Sequence, residues 1–158
     1  MASDDPFQLL PFVAFEAILV HLKVTQESLI DTKALTTHEY PIFVSWYSGN
    51  GALRGCIGTF KSCSLSKAIR IFSIKSAFED CRFSGISIAE VETLSCQVSV
   101  LVDFEPALHA FDWEDGVHGL QISFSFEKQS YTSTFLPNVS TLQGWSPMET
   151  IHQLIRKT

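Results

Sequence analysis

The sequence predicts an α+β fold: a mainly antiparallel sheet with flanking helices and a cleft lined by the strand at 53–60. Three observations carry that expectation. Segments 8–23, 65–80 and 147–157 repeat apolar residues at helical spacing. Segments 94–102 and 120–126 alternate apolar with polar residues, the pattern of half-buried antiparallel strands. Compact turn signals separate neighbouring strand-like runs, which joins those runs as hairpins.

Taken in order, 8–23 reads as an amphipathic helix with Phe12, Phe15, Ile18, Leu19 and Leu22 on one face and Pro11 in the first turn, where its missing N–H costs little. Segment 25–36 reads as a short second helix, followed by a loop at Thr36-Thr37-His38. Pro41 opens a strand over 42–47, rich in β-branched and aromatic residues. Ser48-Gly49-Asn50-Gly51 is a turn, so 42–47 and 53–60 form a hairpin, with the second strand expected near the middle of the sheet.

Ser62 to Ser66 supply N-cap candidates for a helix over 65–80, with Leu65, Ala68, Ile69 and Phe72 on its apolar face. That helix delivers Glu79, Asp80, Cys81 and Arg82 at its end, and Phe83-Ser84-Gly85 breaks it. In 94–102, Leu94, Cys96, Val98, Val100 and Val102 face one way. Strands at 120–126 and 131–136 flank a turn at 127–130, and Pro137 ends the pair. The last helix has Pro147 in its first turn and Arg156 and Lys157 at its end, where they complement the helix dipole.

With 158 residues, the chain reads as a single domain over 1–158. A 46% hydrophobic and 18% charged composition excludes disorder. No run reaches the roughly 18 apolar residues of a membrane span, and the acidic N-terminus is unlike a secretory signal. Cys56, Cys63, Cys81 and Cys96 are dispersed and read as reduced thiols. Asn138-Val139-Ser140 matches a glycosylation acceptor, which matters only in a secreted protein.

A net charge of −6 argues against general binding to nucleic acid or anionic membranes. Yet six of the eleven basic residues lie within 54–82: Arg54, Lys61, Lys67, Arg70, Lys75 and Arg82. Between 103 and 115 the charges are all acidic. Both stretches read either as solvated surface or, for the basic one, as a rim suited to a small anion.

The chemistry-bearing stretch is Leu53-Arg54-Gly55-Cys56-Ile57-Gly58-Thr59-Phe60. Glycine inside a strand marks a bulge or a close approach by backbone or ligand. Regular alternation puts Arg54, Cys56 and Gly58 on one face, and a fixed cation beside a thiol favours the thiolate.

These residues resemble the signature of the AMMECR domain family, named for the Alport syndrome, intellectual disability, midface hypoplasia and elliptocytosis chromosomal region. Three further blocks agree in order: Ala77-Phe78-Glu79-Asp80-Cys81-Arg82-Phe83, Gly116-Val117-His118-Gly119-Leu120, and Phe135-Leu136-Pro137 with Gln143-Gly144-Trp145. The resemblance covers 38–157. It implies an α+β fold with a cleft at the signature and a cytoplasmic or nuclear protein, with no established activity. Neighbouring domains in prokaryotic relatives have prompted the idea of a role in RNA modification. Full-length relatives continue past the final helix, so the chain reads as a shortened member, missing the C-terminal part of the family domain.

Cys56 reads as a buried small hydrophobe or as a nucleophile. His118 reads as a loop-bonded structural histidine or as a general base. Asp80 and Arg82 read as an ion pair fixing a turn, or as partners of Arg54 in holding a carboxylate or phosphate, with Gly55 and Gly58 allowing close approach. No phosphate loop, dinucleotide fingerprint, nucleophile elbow or His-Glu-x-x-His metal motif is present, so the sequence names no cofactor and no metal site. Two function classes remain: an enzyme or enzyme subunit acting on an anionic substrate, and a non-catalytic module that binds a protein or RNA partner.

Overall fold

The computed structural model describes residues 5–26 and 28–157. The chain divides into two compact units, the first ending at Phe104 and the second beginning at Glu105. The fold is α+β, with antiparallel sheets in both units.

In the first unit, β1 (Glu39–Tyr47), β2 (Leu53–Ser64) and β3 (Ser95–Val100) form one sheet in the order β2-β1-β3. Helices α1 (Leu10–His21) and α2 (Leu65–Phe78) pack against it. The alternation of β1 decides which face they cover. Ile42, Val44 and Trp46 are fully buried and join Val13, Ala14 and Ile18 of α1 and Leu65, Ala68 and Ile69 of α2 in one core. The Trp46 indole donates from Nε1 to the Ser73 carbonyl of α2 at 3.2 Å, and the Phe15 ring meets it edge-on. A buried indole that finds this acceptor avoids the cost of an unsatisfied N–H. Leu94, just before β3, and Cys96, Val98 and Val100 within it pack on the same core, as their alternation predicts.

Four local expectations change. The glycine-bearing strand β2 is an edge strand rather than a central one; β1 is central. Helix α1 buries Leu10, Val13, Ala14, Ala17 and Ile18, while Phe12 stays 65% exposed. The helix is apolar nearly all round, so periodicity alone could not say which side meets the sheet. In place of a helix over 25–36, the described residues of that span form a 3-10 turn at Lys33–Leu35. The Glu16 carboxylate of α1 captures the N–H groups of Leu29 and Ile30 and also binds Arg70, which offers that backbone partners outside a helix. Finally, β2 alternates irregularly at its start: Trp46 pairs with Gly55 but Tyr47 with Leu53, which leaves Arg54 as an extra residue in a bulge.

Gly55 is fixed by close packing. A Cβ there would sit 2.0 Å from the Ser76 carbonyl oxygen of α2. Gly58 meets the same limit, with the Ile42 oxygen at 2.2 Å. Both glycines of the signature strand are therefore required by contacts within the first unit.

In the second unit, β4 (Leu120–Phe126) and β5 (Gln129–Phe135) form a hairpin, followed by α3 (Val139–Gln143) and α4 (Pro147–Arg156). The two-residue turn has positive φ at Glu127 and Lys128, 49° and 66°, the backbone that matches strand twist in tight hairpins. Ser146 and Glu149 close a reciprocal capping box on α4.

Gly55→Ala is expected to destabilise the protein by about 3 kcal/mol, because helix and strand must separate to admit the methyl group. Urea unfolding checks this as a lowered midpoint with unchanged slope.

Candidate functional site

The site grows from the backbone of β2. Trp46 turns toward the helices, so its partner Gly55 does too. Cys56 therefore presents its thiol on the opposite face, beside its partner Ser45. The backbone of Cys56 points outward from the sheet's edge, where no strand pairs with it.

That gap is filled by the end of α2. The Asp80 carboxylate accepts from the Cys56 N–H at 2.9 Å. Arg82 holds the same carboxylate through Nε at 2.9 Å and Nη2 at 2.7 Å, and its Nη2 also donates to the Cys56 carbonyl at 3.3 Å. Asp80 is 7% exposed. The Arg82 guanidinium pulls its carboxyl down to about 2, burial opposes this, and the Cys56 and Arg82 N–H groups add to the lowering. The same contact raises Arg82 above its ordinary value.

Arg54, freed from the ladder by the bulge, goes to the loop that follows α2. It binds Glu90 through Nε at 2.8 Å and donates to the carbonyls of Ser84 at 2.7 Å and Gly85 at 3.3 Å. Arg54 first, then the N–H and hydroxyl of Ser87, lower the Glu90 carboxyl to about 2. The bulge thus takes Arg54 out of the regular pairing that carries Cys56.

Of the seven residues singled out in the sequence, Arg54, Gly55, Cys56, Gly58, Asp80 and Arg82 lie in the first unit. Cys56, Asp80 and Arg82 are in direct contact, and Arg54 is anchored separately. His118 lies in the second unit, where its Nδ1 accepts the Glu114 N–H at 2.8 Å and its own N–H bonds the Glu114 carbonyl. Cys56, Cys63, Cys81 and Cys96 are all free thiols. Among the described residues, no group of three or more His, Cys, Asp or Glu is placed to hold a metal ion. None of the described helices is long and apolar enough to cross a membrane.

Three further residues share the Cys56 face and went unnoticed in the sequence. Register places Ser45 between Cys56 and Gln97, with Tyr47 two residues further along β1. The Tyr47 hydroxyl donates to Gln97 Oε1 at 3.2 Å, and burial holds the phenol above its ordinary value. Ser45 is 5% exposed. The available signal was polar Ser45 in an otherwise apolar strand. Glu90 also carried a signal: Ser87-Ile88-Ala89-Glu90 has the spacing of a capping box.

The edge strand of an antiparallel α+β sheet is thus clamped by an acidic-basic pair at the end of the following helix. The AMMECR1 family model matches residues 12–158, and the chain belongs to that family. It is 45% identical over 124 residues to an uncharacterised protein of Schizosaccharomyces pombe, covering 77% of this chain and 64% of the relative. An uncharacterised Arabidopsis thaliana protein is 40% identical over 125 residues, covering 75% and 58%. The chain thus spans about three fifths of those relatives' length. The crystal structure of an uncharacterised Pyrococcus horikoshii protein is similar with a TM-score of 0.75 at 27% identity, over 96% of this chain and 79% of that one.

The depressed carboxyls give a pH prediction. A folded-state value below the unfolded one contributes stability that is present above the unfolded pKa and lost as pH falls through the folded pKa. For Asp80 that window runs from the ordinary value of 3.8 down to about 2. Acid titration of the unfolding free energy is expected to lose about 2 kcal/mol across it. Asp80→Asn should be less stable by a similar amount at neutral pH and should show a flatter acid limb.

Proposed function

We propose that the protein is a binding module whose ligand surface is formed by Cys56, Tyr47 and Gln97 on the sheet face around the buried Ser45. The observation that supports this is the commitment of both signature-region arginines. Arg54 is held by Glu90 and Arg82 by Asp80, so each positive charge already has its counter-ion. What this face offers is a thiol, a hydroxyl and a carboxamide, a set that suits a neutral polar ligand or a protein surface better than a small anion.

In this reading Arg54, Asp80 and Arg82 position the strand, and Gly55 and Gly58 let it pack. Cys56 contributes its thiol as a contact. His118 has no assigned part. The reading takes the protein as cytoplasmic or nuclear, which the four free thiols support.

The enzyme reading keeps one supporting observation. The Arg82 guanidinium donates to the carbonyl of the very residue that carries the thiol, placing a cation beside a nucleophile. Alkylation by iodoacetamide, followed cysteine by cysteine in the mass spectrometer, separates the two. A binding surface predicts that Cys56 reacts no faster than the exposed Cys81. A Cys56 rate about 100-fold above that of Cys81, the scale of an activated catalytic group, would replace the binding reading with the enzymatic one.

A further inference from the structure

Near the start of β1 its ladder to β2 comes apart. Tyr40 pairs with Cys63 and Ile42 with Thr59, so one step past Pro41 on β1 spans an enlarged stretch of β2. Proline has no N–H to give the ladder. Its carbonyl accepts instead from Leu101 N at 3.0 Å, at the end of β3. The break opens into a groove of about 500 Å³, within the size range of ligand sites. Its walls are Tyr40, Phe60, Val102 and Phe104, and Glu39 and Asp103 are its charged groups. No cationic side chain among the described residues lines it.

We propose that this groove docks a basic, apolar-flanked peptide segment of a partner protein. The charge pattern selects the sign: two carboxylates face a lining without a counter-ion, on a protein of net charge −6. The aromatic walls select the shape. A lysine or arginine stem lies along aromatic surface while its head meets the carboxylates, and a cation over a ring face adds its own attraction. A lone amine would neutralise Glu39 and Asp103 but leave Val102 (56% exposed) and Phe104 (64% exposed) uncovered. A peptide with apolar residues beside its cation covers both. Anionic lipid and nucleic acid carry the wrong sign. The groove shares only Phe60 with the signature strand, so this surface goes beyond the one proposed around Cys56.

The test is fluorescence anisotropy on the full chain with a fluorescein-labelled nonapeptide of alternating arginine and leucine, and a counterpart with glutamate for arginine. Saturable binding of the arginine peptide is expected, with none for the glutamate peptide. Glu39→Gln with Asp103→Asn should weaken it at least tenfold. Asparagine keeps the left-handed backbone of residue 103, where φ is 54°. Phe104→Ser is a second variant with a similar expected loss, and a thermal melt confirms that each variant folds. Asp112→Asn with Glu114→Gln removes the same charge outside the groove and should leave binding within twofold. No saturable binding, undiminished binding in the groove variants, or an equal loss in the Asp112 and Glu114 variant would overturn the proposal.

Discussion

The contact on which the signature strand depends is that of Asp80 and Arg82 with the backbone of Cys56. An edge strand presents unpaired N–H and C=O groups, and these invite pairing with other chains. Here one carboxylate takes the N–H and one guanidinium takes the carbonyl, while the two hold each other. The pair does for Cys56 what a neighbouring strand would do. Because Asp80 follows α2 directly, the clamp also sets how far that helix can move from the sheet. Gly55 sets the same distance from the other side, since its missing Cβ lets the Ser76 carbonyl approach. Clamp and glycine act together: one draws helix and strand together, and the other removes the obstacle.

The same device recurs. Arg70 binds Glu16 and the Ile30 carbonyl, and Arg54 binds Glu90 and two carbonyls. In each case a guanidinium ties a loop to a regular element, using the planar array of donors that lysine lacks. The basic stretch from 54 to 82 therefore does not act as a block of free charge. Its three arginines are internal fasteners, and Lys67 and Lys75 remain exposed on α2. That division turns a segment that looks cationic in the sequence into one with little free charge near Cys56.

The chain shares the AMMECR1 fold with an archaeal structure and matches fungal and plant relatives over most of its own length. In this chain Gly55 lets β2 lie against α2 at very close range, Gly58 lets it close on β1, and a thiol is left on the far side.

The sequence by itself determined the elements with strong periods: α2, β3, the β4–β5 hairpin and α4 with proline in its first turn. It also determined the family, because four separated motifs occur in order. Local periodicity suffices for such elements, since each is fixed by which of its faces is apolar. The tertiary structure decided three things. It put β2 at the sheet's edge, because strand order depends on pairing between distant segments. It left Arg54 outside the ladder, because a bulge depends on register against β1. It also gave Arg54 and Arg70 their carboxylates, Glu90 and Glu16, 36 and 54 residues away. For the Leu53–Phe60 stretch, the sequence could name the thiol, the cation and the glycines. Only packing could show that the cation was already bound, that Gly55 admits helix α2 and that Gly58 admits the neighbouring strand β1.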